Sequence, residues 1–164
     1  MDLSKYTIED LLLTAIKSEI ESNAIYTKLA NQVKNGLLKD KLQFLAKEEE
    51  KHKTYVESLF KRQFPSKTIK IPQKTAVPLP EITIKDESTP LSTILKQAMT
   101  AEQAAQEFYQ SLAQLYTDDK QIHHTLTYFA DMELGHYKIL EIEKESMERF
   151  EDADVYWPMV HAGP

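Results

Sequence analysis

The chain has 164 residues, of which 41% are apolar and 28% charged, with a formal net charge of −6 and no cysteine. This length suits one domain with a sizeable core, and the composition excludes intrinsic disorder, disulfides, thiolate metal sites and cysteine nucleophiles. The acidic balance, without a dense Lys/Arg block, argues against a nucleic-acid partner; no apolar run is long enough to span a membrane, and Met1-Asp2-Leu3-Ser4-Lys5 offers no signal core, so the expected compartment is the cytoplasm.

In chain order, the first helical segment is expected at about residues 8–34, with Thr7 as its cap and Asn35-Gly36 as its stop, the glycine being suited to a left-handed position. A second segment follows at about 37–62 and must end before Pro65. The stretch at about 64–88 carries Pro65, Pro72, Pro78 and Pro80 among β-branched residues and lysines, which forbids a continuous helix and favours extended chain. A helix of about 26 residues is about 39 Å long. Two dozen extended residues at about 3.3 Å each can cover that length. The stretch therefore reads as a crossover running along a bundle; the alternative is a flexible linker between two domains, but neither helix pair alone would bury much core.

The third segment, at about 90–116, opens with Thr89 as cap and Pro90 in the first helical position. Thr117-Asp118-Asp119 makes a short connection into the fourth, at about 119–150. Short connections within each half imply two antiparallel helix pairs. The expectation is an all-α four-helix bundle forming a single domain over residues 1–164, with a tail at 151–164 that holds the only tryptophan, Trp157.

The halves repeat. Glu19 to Tyr26 followed by Leu29-Ala30 parallels Glu102 to Tyr109 followed by Leu112-Ala113, a displacement of 83 residues. Ala46 to His52 parallels Ala130 to His136, a displacement of 84 residues. Each half thus supplies one helix with a lone Glu and one with Glu-x-x-His.

Helical phase joins these residues. Steps of three and four place Leu38, Leu42, Leu45, Glu49, His52, Val56 and Leu59 on one face of the second segment. Glu19, Glu102 and the Glu133/His136 pair sit in the same way in mid-stripe on the other three, whereas Glu21, Glu50 and Glu107 fall off the stripes and read as surface. A charged Glu is almost never buried without a partner, and no Lys or Arg shares these stripes at that level. Two divalent cations would neutralise four carboxylates. An oxygen-rich donor set with one imidazole per metal favours iron or manganese, or a mixed pair, over structural zinc. One Glu-x-x-His alone is weak; two in phase, each with an in-phase Glu on the preceding helix, match the pattern of di-metal carboxylate bundles. Glu19, Glu49, His52, Glu102, Glu133 and His136 are therefore the candidate metal ligands. Tyr26 and Tyr109 lie two turns beyond the lone glutamates, either as core packing with a satisfied hydroxyl or as hydrogen-bond donors to ligand carboxylates. His123, His124 and His161 read as structural or surface residues.

With its Glu102-x-x-Ala105-x-x-Phe108-Tyr109 string, the echo from Glu19 to Tyr26 and the two Ala-x-x-Glu-x-x-His strings, the sequence resembles the rubrerythrin-like branch of the ferritin-like superfamily over about residues 8–150. The resemblance implies a ferritin-like bundle with two iron ions cycling between Fe2+ and Fe3+, some of the glutamates bridging and one histidine on each iron. It also implies reduction of hydrogen peroxide or oxygen, or, as in ferritin-type relatives, iron oxidation and handling. Rubrerythrins proper carry a four-cysteine rubredoxin domain. This chain has no cysteine, so electrons are expected from an external donor such as a rubredoxin-type protein. They also carry a further Glu where this chain has Ala105. Relatives are commonly dimers, so a homodimer is expected, with helix exchange through the long crossover as a variant.

Overall fold

The computed structural model describes residues 1–82 and 89–156, the side chains of 150–156 excepted. It is an all-α bundle of four long helices: α1 (Ile8–Gln32), α2 (Gly36–Gln63), α3 (Leu91–Ala113) and α4 (Lys120–Tyr156), with a 3₁₀ turn at Gln114–Tyr116 after α3. Among the described residues there is no strand, and no helix is long and apolar enough to cross a membrane.

Local chemistry sets the helix starts. The Thr7 hydroxyl accepts from the Asp10 amide at 3.1 Å, and the Asp10 carboxylate accepts from the Thr7 amide at 3.3 Å, a reciprocal cap that satisfies two otherwise orphaned donors. Asn35 caps α2, its side-chain oxygen accepting from the Leu38 amide at 3.1 Å. Gly36 is therefore the first residue of α2 and has no positive φ, contrary to the expected left-handed stop. The extended Val33, at φ −73° and ψ 140°, ends α1 instead. Pro90, not Thr89, occupies the cap position of α3. Asp119 accepts from the Ile122 amide at 3.1 Å at the head of α4 and also takes the Arg62 guanidinium at 2.7 Å, tying the end of α2 to the start of α4. The last turn expected for α3 tightens into the 3₁₀ piece. At the other end, α4 runs past Phe150 through 151–156, because nothing in that stretch breaks a helix before Pro158. Trp157 and His161 lie outside the described residues.

The core comprises two apolar clusters. One gathers Leu12 and Ile16 of α1, Val56 and Phe60 of α2, Phe108 and Leu112 of α3, and Leu126 and Phe129 of α4. The other gathers Tyr26 and Leu29 of α1, Leu42 and Leu45 of α2, Leu95 and Ala98 of α3, and Leu140 of α4. Each helix thus contributes one end to each cluster, and its middle turns lie between them. The crossover touches both: Val77 is buried in the first cluster with Ile69 and Leu79 packed beside it, and Ile82 packs on the second. Its described part leaves α2 at the first cluster and reaches the second at Ile82, so residues 64–82 run along the bundle. A flexible linker would not bury Val77.

Candidate metal centre

Between the two apolar clusters lies a polar layer. Glu19 of α1, Glu49 and His52 of α2, Glu102 of α3, and Glu133 and His136 of α4 are each at most 3% exposed. All six sequence-derived candidates converge there. Burial follows from phase, since each occupies a core position of its own helix.

The donor atoms divide into two sets of four: Glu19, Glu49, His52 and Glu133, and Glu49, Glu102, Glu133 and His136, with one atom from each residue of a set lying within 4.8 Å of all the others. His52 Nδ1 is 3.0 Å from Glu133, 3.5 Å from Glu49 and 3.8 Å from Glu19. His136 Nδ1 is 3.0 Å from Glu133, 3.2 Å from Glu49 and 3.6 Å from Glu102. Glu49 and Glu133 therefore stand close to both imidazoles, and Glu19 and Glu102 to one each. The two imidazole rings face each other at 5.9 Å between centroids and 21° between planes.

The hydroxyls of Tyr26 and Tyr109 close the layer. Tyr26 donates to Glu102, and Tyr109 donates to Glu19. Each tyrosine belongs to one sequence repeat and holds the lone glutamate of the other. Burial and the adjacent carboxylates push both phenols well above their usual range, so they remain protonated donors.

The donor set fits divalent ions. Oxygen and nitrogen ligands about 2.1 Å from a shared ion lie about 3 to 4 Å from one another, as they do here. Glu49 Oε1, Glu133 Oε1 and His52 Nδ1 are buried with no hydrogen-bond partner despite their close approach, as expected of donors aimed at common points rather than at each other. Without a cation the layer must carry protons. Burial pushes Glu19 well up and Glu133 up, and neighbouring carboxylates reinforce both shifts. Burial opposes the charged form of His52, but Glu133, Glu19 and Glu49 outweigh it and push the imidazole up to about 12. His136 is raised in the same way by Glu102, Glu133 and Glu49.

Other candidates fall elsewhere. His123 Nδ1 lies 2.9 Å from the Ala113 carbonyl, at the end of α3. His124 is exposed, as are Glu21, Glu50 and Glu107. Ala105, on the stripe between the buried Glu102 and Tyr109, is only half-buried. Sequence reasoning placed Phe129 on the apolar stripe of the fourth segment and gave it no further role; its ring lies 4.2 Å from that of His52. The repeat holds the clue, because Leu45 occupies the corresponding place in the first half.

Fold and polar layer together define a four-helix protein with a buried carboxylate–histidine cluster that fits iron binding. The rubrerythrin family model matches residues 10–144, and the chain belongs to that family, within the ferritin-like superfamily. Among solved structures it is similar to a hypothetical protein from Pyrococcus furiosus, Pfu-1136390-001, at 31% identity and a TM-score of 0.81, over 91% of this chain and 95% of that one. A search of curated proteins gives no match.

Proposed function

We propose that the chain is a di-iron oxidoreductase that reduces hydrogen peroxide or oxygen with electrons from an external donor. The observation that carries this reading is the division of six buried donors into two four-residue sets sharing Glu49 and Glu133. Glu19 and His52 would hold one iron, Glu102 and His136 the other, and Glu49 and Glu133 both. Two ferrous ions so held would supply one electron each to a two-electron oxidant. The chain fixes their separation, keeps bulk water out with an apolar cluster on either side, and restrains the unshared glutamates through Tyr26 and Tyr109. Manganese, or a mixed pair, suits the same donors. The cytoplasm is the compartment this reading assumes. A rubredoxin-type protein would serve as donor. The working unit would be a homodimer, with helix exchange through the crossover as a variant.

The test is to load the protein with ferrous iron without oxygen, add peroxide, and follow the optical spectrum. Rapid reoxidation that repeats when a reductant is supplied supports the enzyme; a single reoxidation that donors cannot reset supports iron oxidation and handling. The latter reading draws on Ala105, which cannot supply the additional carboxylate of rubrerythrins proper. Light scattering at micromolar concentration tests the dimer, and a monomer throughout would overturn it.

A further inference from the structure

The ligands repeat across the two halves, but their surroundings do not. On the His52 side, the Phe129 ring lies 4.2 Å from the imidazole. Phe129 in turn meets Tyr109 of the layer edge-on at 5.6 Å and, further out, Tyr55 edge-on at 5.2 Å and Tyr128 at 6.5 Å. Tyr55 is half-buried and Tyr128 is 54% exposed, so an unbroken set of rings joins the buried layer to two phenols, one of them at the surface. On the His136 side the repeat places Leu45 in the position of Phe129, Ile139 in that of Tyr55 and Phe44 in that of Tyr128. Phe44 touches His136 edge-on at 6.4 Å and is 44% exposed, but it has no phenol to oxidise. Plain packing accounts for a buried Phe129. It does not account for phenols at the outer end of one path and none at the other.

We propose that Phe129 connects the metal layer to Tyr128 and Tyr55 as a one-electron relay, and that these phenols supply the missing electron when peroxide meets a site holding a single ferrous ion. The inference rests on the iron reading above. Peroxide takes two electrons and the ferrous ion gives one. A tyrosine gives the second and loses its hydroxyl proton to water. One H2O2, one added proton, one Fe2+ and one tyrosine become two waters, one Fe3+ and one neutral tyrosyl radical, which balances atoms and charge. Delivery to exposed Tyr128 carries the oxidising equivalent out of the core, away from the ligands, to a position where a reductant can quench it.

The experiment uses the full chain loaded anaerobically with one ferrous ion, then mixed with peroxide. The optical spectrum reports iron oxidation, freeze-quench electron paramagnetic resonance reports the tyrosyl radical, and dityrosine fluorescence with peptide mapping locates the product. The expected product is a radical signal with dityrosine concentrated at Tyr128. Tyr128→Phe, a surface change, should lower dityrosine at least fivefold. Phe129→Leu, which installs the residue of the other repeat, should lower it similarly while iron still oxidises. Phe44→Tyr should add a second modified position. Iron oxidation with Tyr128 intact, or an undiminished yield in Phe129→Leu, would overturn the relay and leave the iron reading standing. Modification spread evenly over Tyr6, Tyr128 and Tyr137 would mark free hydroxyl radical and overturn it as well. Failure to bind or oxidise iron overturns both.

Discussion

Glu49 and Glu133 each approach both imidazoles, whereas Glu19 approaches only His52 and Glu102 only His136. The six donors should therefore be unequal on mutation. The parent should take up about two iron equivalents, one for each imidazole-bearing set. Glu19→Ala should keep about one, because only its own set loses a donor; Glu49→Ala should keep almost none, because both sets do. Elemental analysis after reconstitution decides, and equal losses from the two variants would remove the distinction between shared and unshared carboxylates. The tyrosines act one step out. Loss of a hydrogen-bond partner to a ligand typically weakens metal binding about 10–100-fold. Tyr26→Phe and Tyr109→Phe should each fall in that range in competition with a chelator, with helical content unchanged. Neither the sharing nor the crossed Tyr–Glu bonds were legible in the sequence. Phase along one helix says which face a residue occupies but not how far it stands from a residue on another helix. Hence the stripes placed all six residues on core faces and left open which two stand near both imidazoles.

Within the helices, two positions separate local propensity from tertiary demand. Gly135 lies inside α4 beside His136, and a Cβ there would meet nothing within 4 Å. Its φ is not positive, so the conformational freedom of glycine is not needed there. Gly135→Ala should raise stability by about 1 kcal/mol, read from the urea midpoint at unchanged slope. A loss instead would mean that the helix flexes at this turn. Thr7→Ala removes one arm of the reciprocal cap and should cost about 1 kcal/mol. The helices themselves could be read because apolar stripes and cap residues agree along each one. The errors arose where one residue type serves two roles. Asn-Gly ends helices and also begins them, and here the Asn35 side chain finds the Leu38 amide, which makes Gly36 a first residue rather than a stop. Glu48 and Glu143 are also nearly buried, although no stripe marks them; Lys51 and Lys41 cover them, and such lysine stems leave no periodic trace.

Across the molecule, burial of a charged layer between two apolar clusters makes metal binding, protonation and stability one linked equilibrium. A ligating imidazole must be neutral and a ligating carboxylate ionised, so any proton the metal-free layer holds has to leave when the ion enters. In the metal-free protein His52 is pushed up to about 12 and His136 is raised by the same kind of carboxylate contact, so both are cationic at neutral pH. Glu19 and Glu133 are raised by burial and also retain protons beyond the usual carboxylate range. The sign is the same for all four groups. The native metal-free state binds more protons than the unfolded chain, so its stability falls as pH rises. For the imidazoles the contribution is full below about 6.5, the unfolded value, and drains away towards 12 as His52 loses its proton. For the carboxylates the penalty appears above their unfolded value and shrinks as pH falls. The metal-loaded state runs the other way, because acid returns protons to its ligands. Ferrous iron binding should therefore release roughly two or more protons per chain, one from each imidazolium and a further share from the carboxylates, measurable with an indicator dye in weak buffer. The loaded protein should melt well above the metal-free form at pH 7.5, and the gap should narrow towards pH 5 in paired calorimetric scans. Proton release near zero, or a gap that widens in acid, would mean that the ion binds away from this layer.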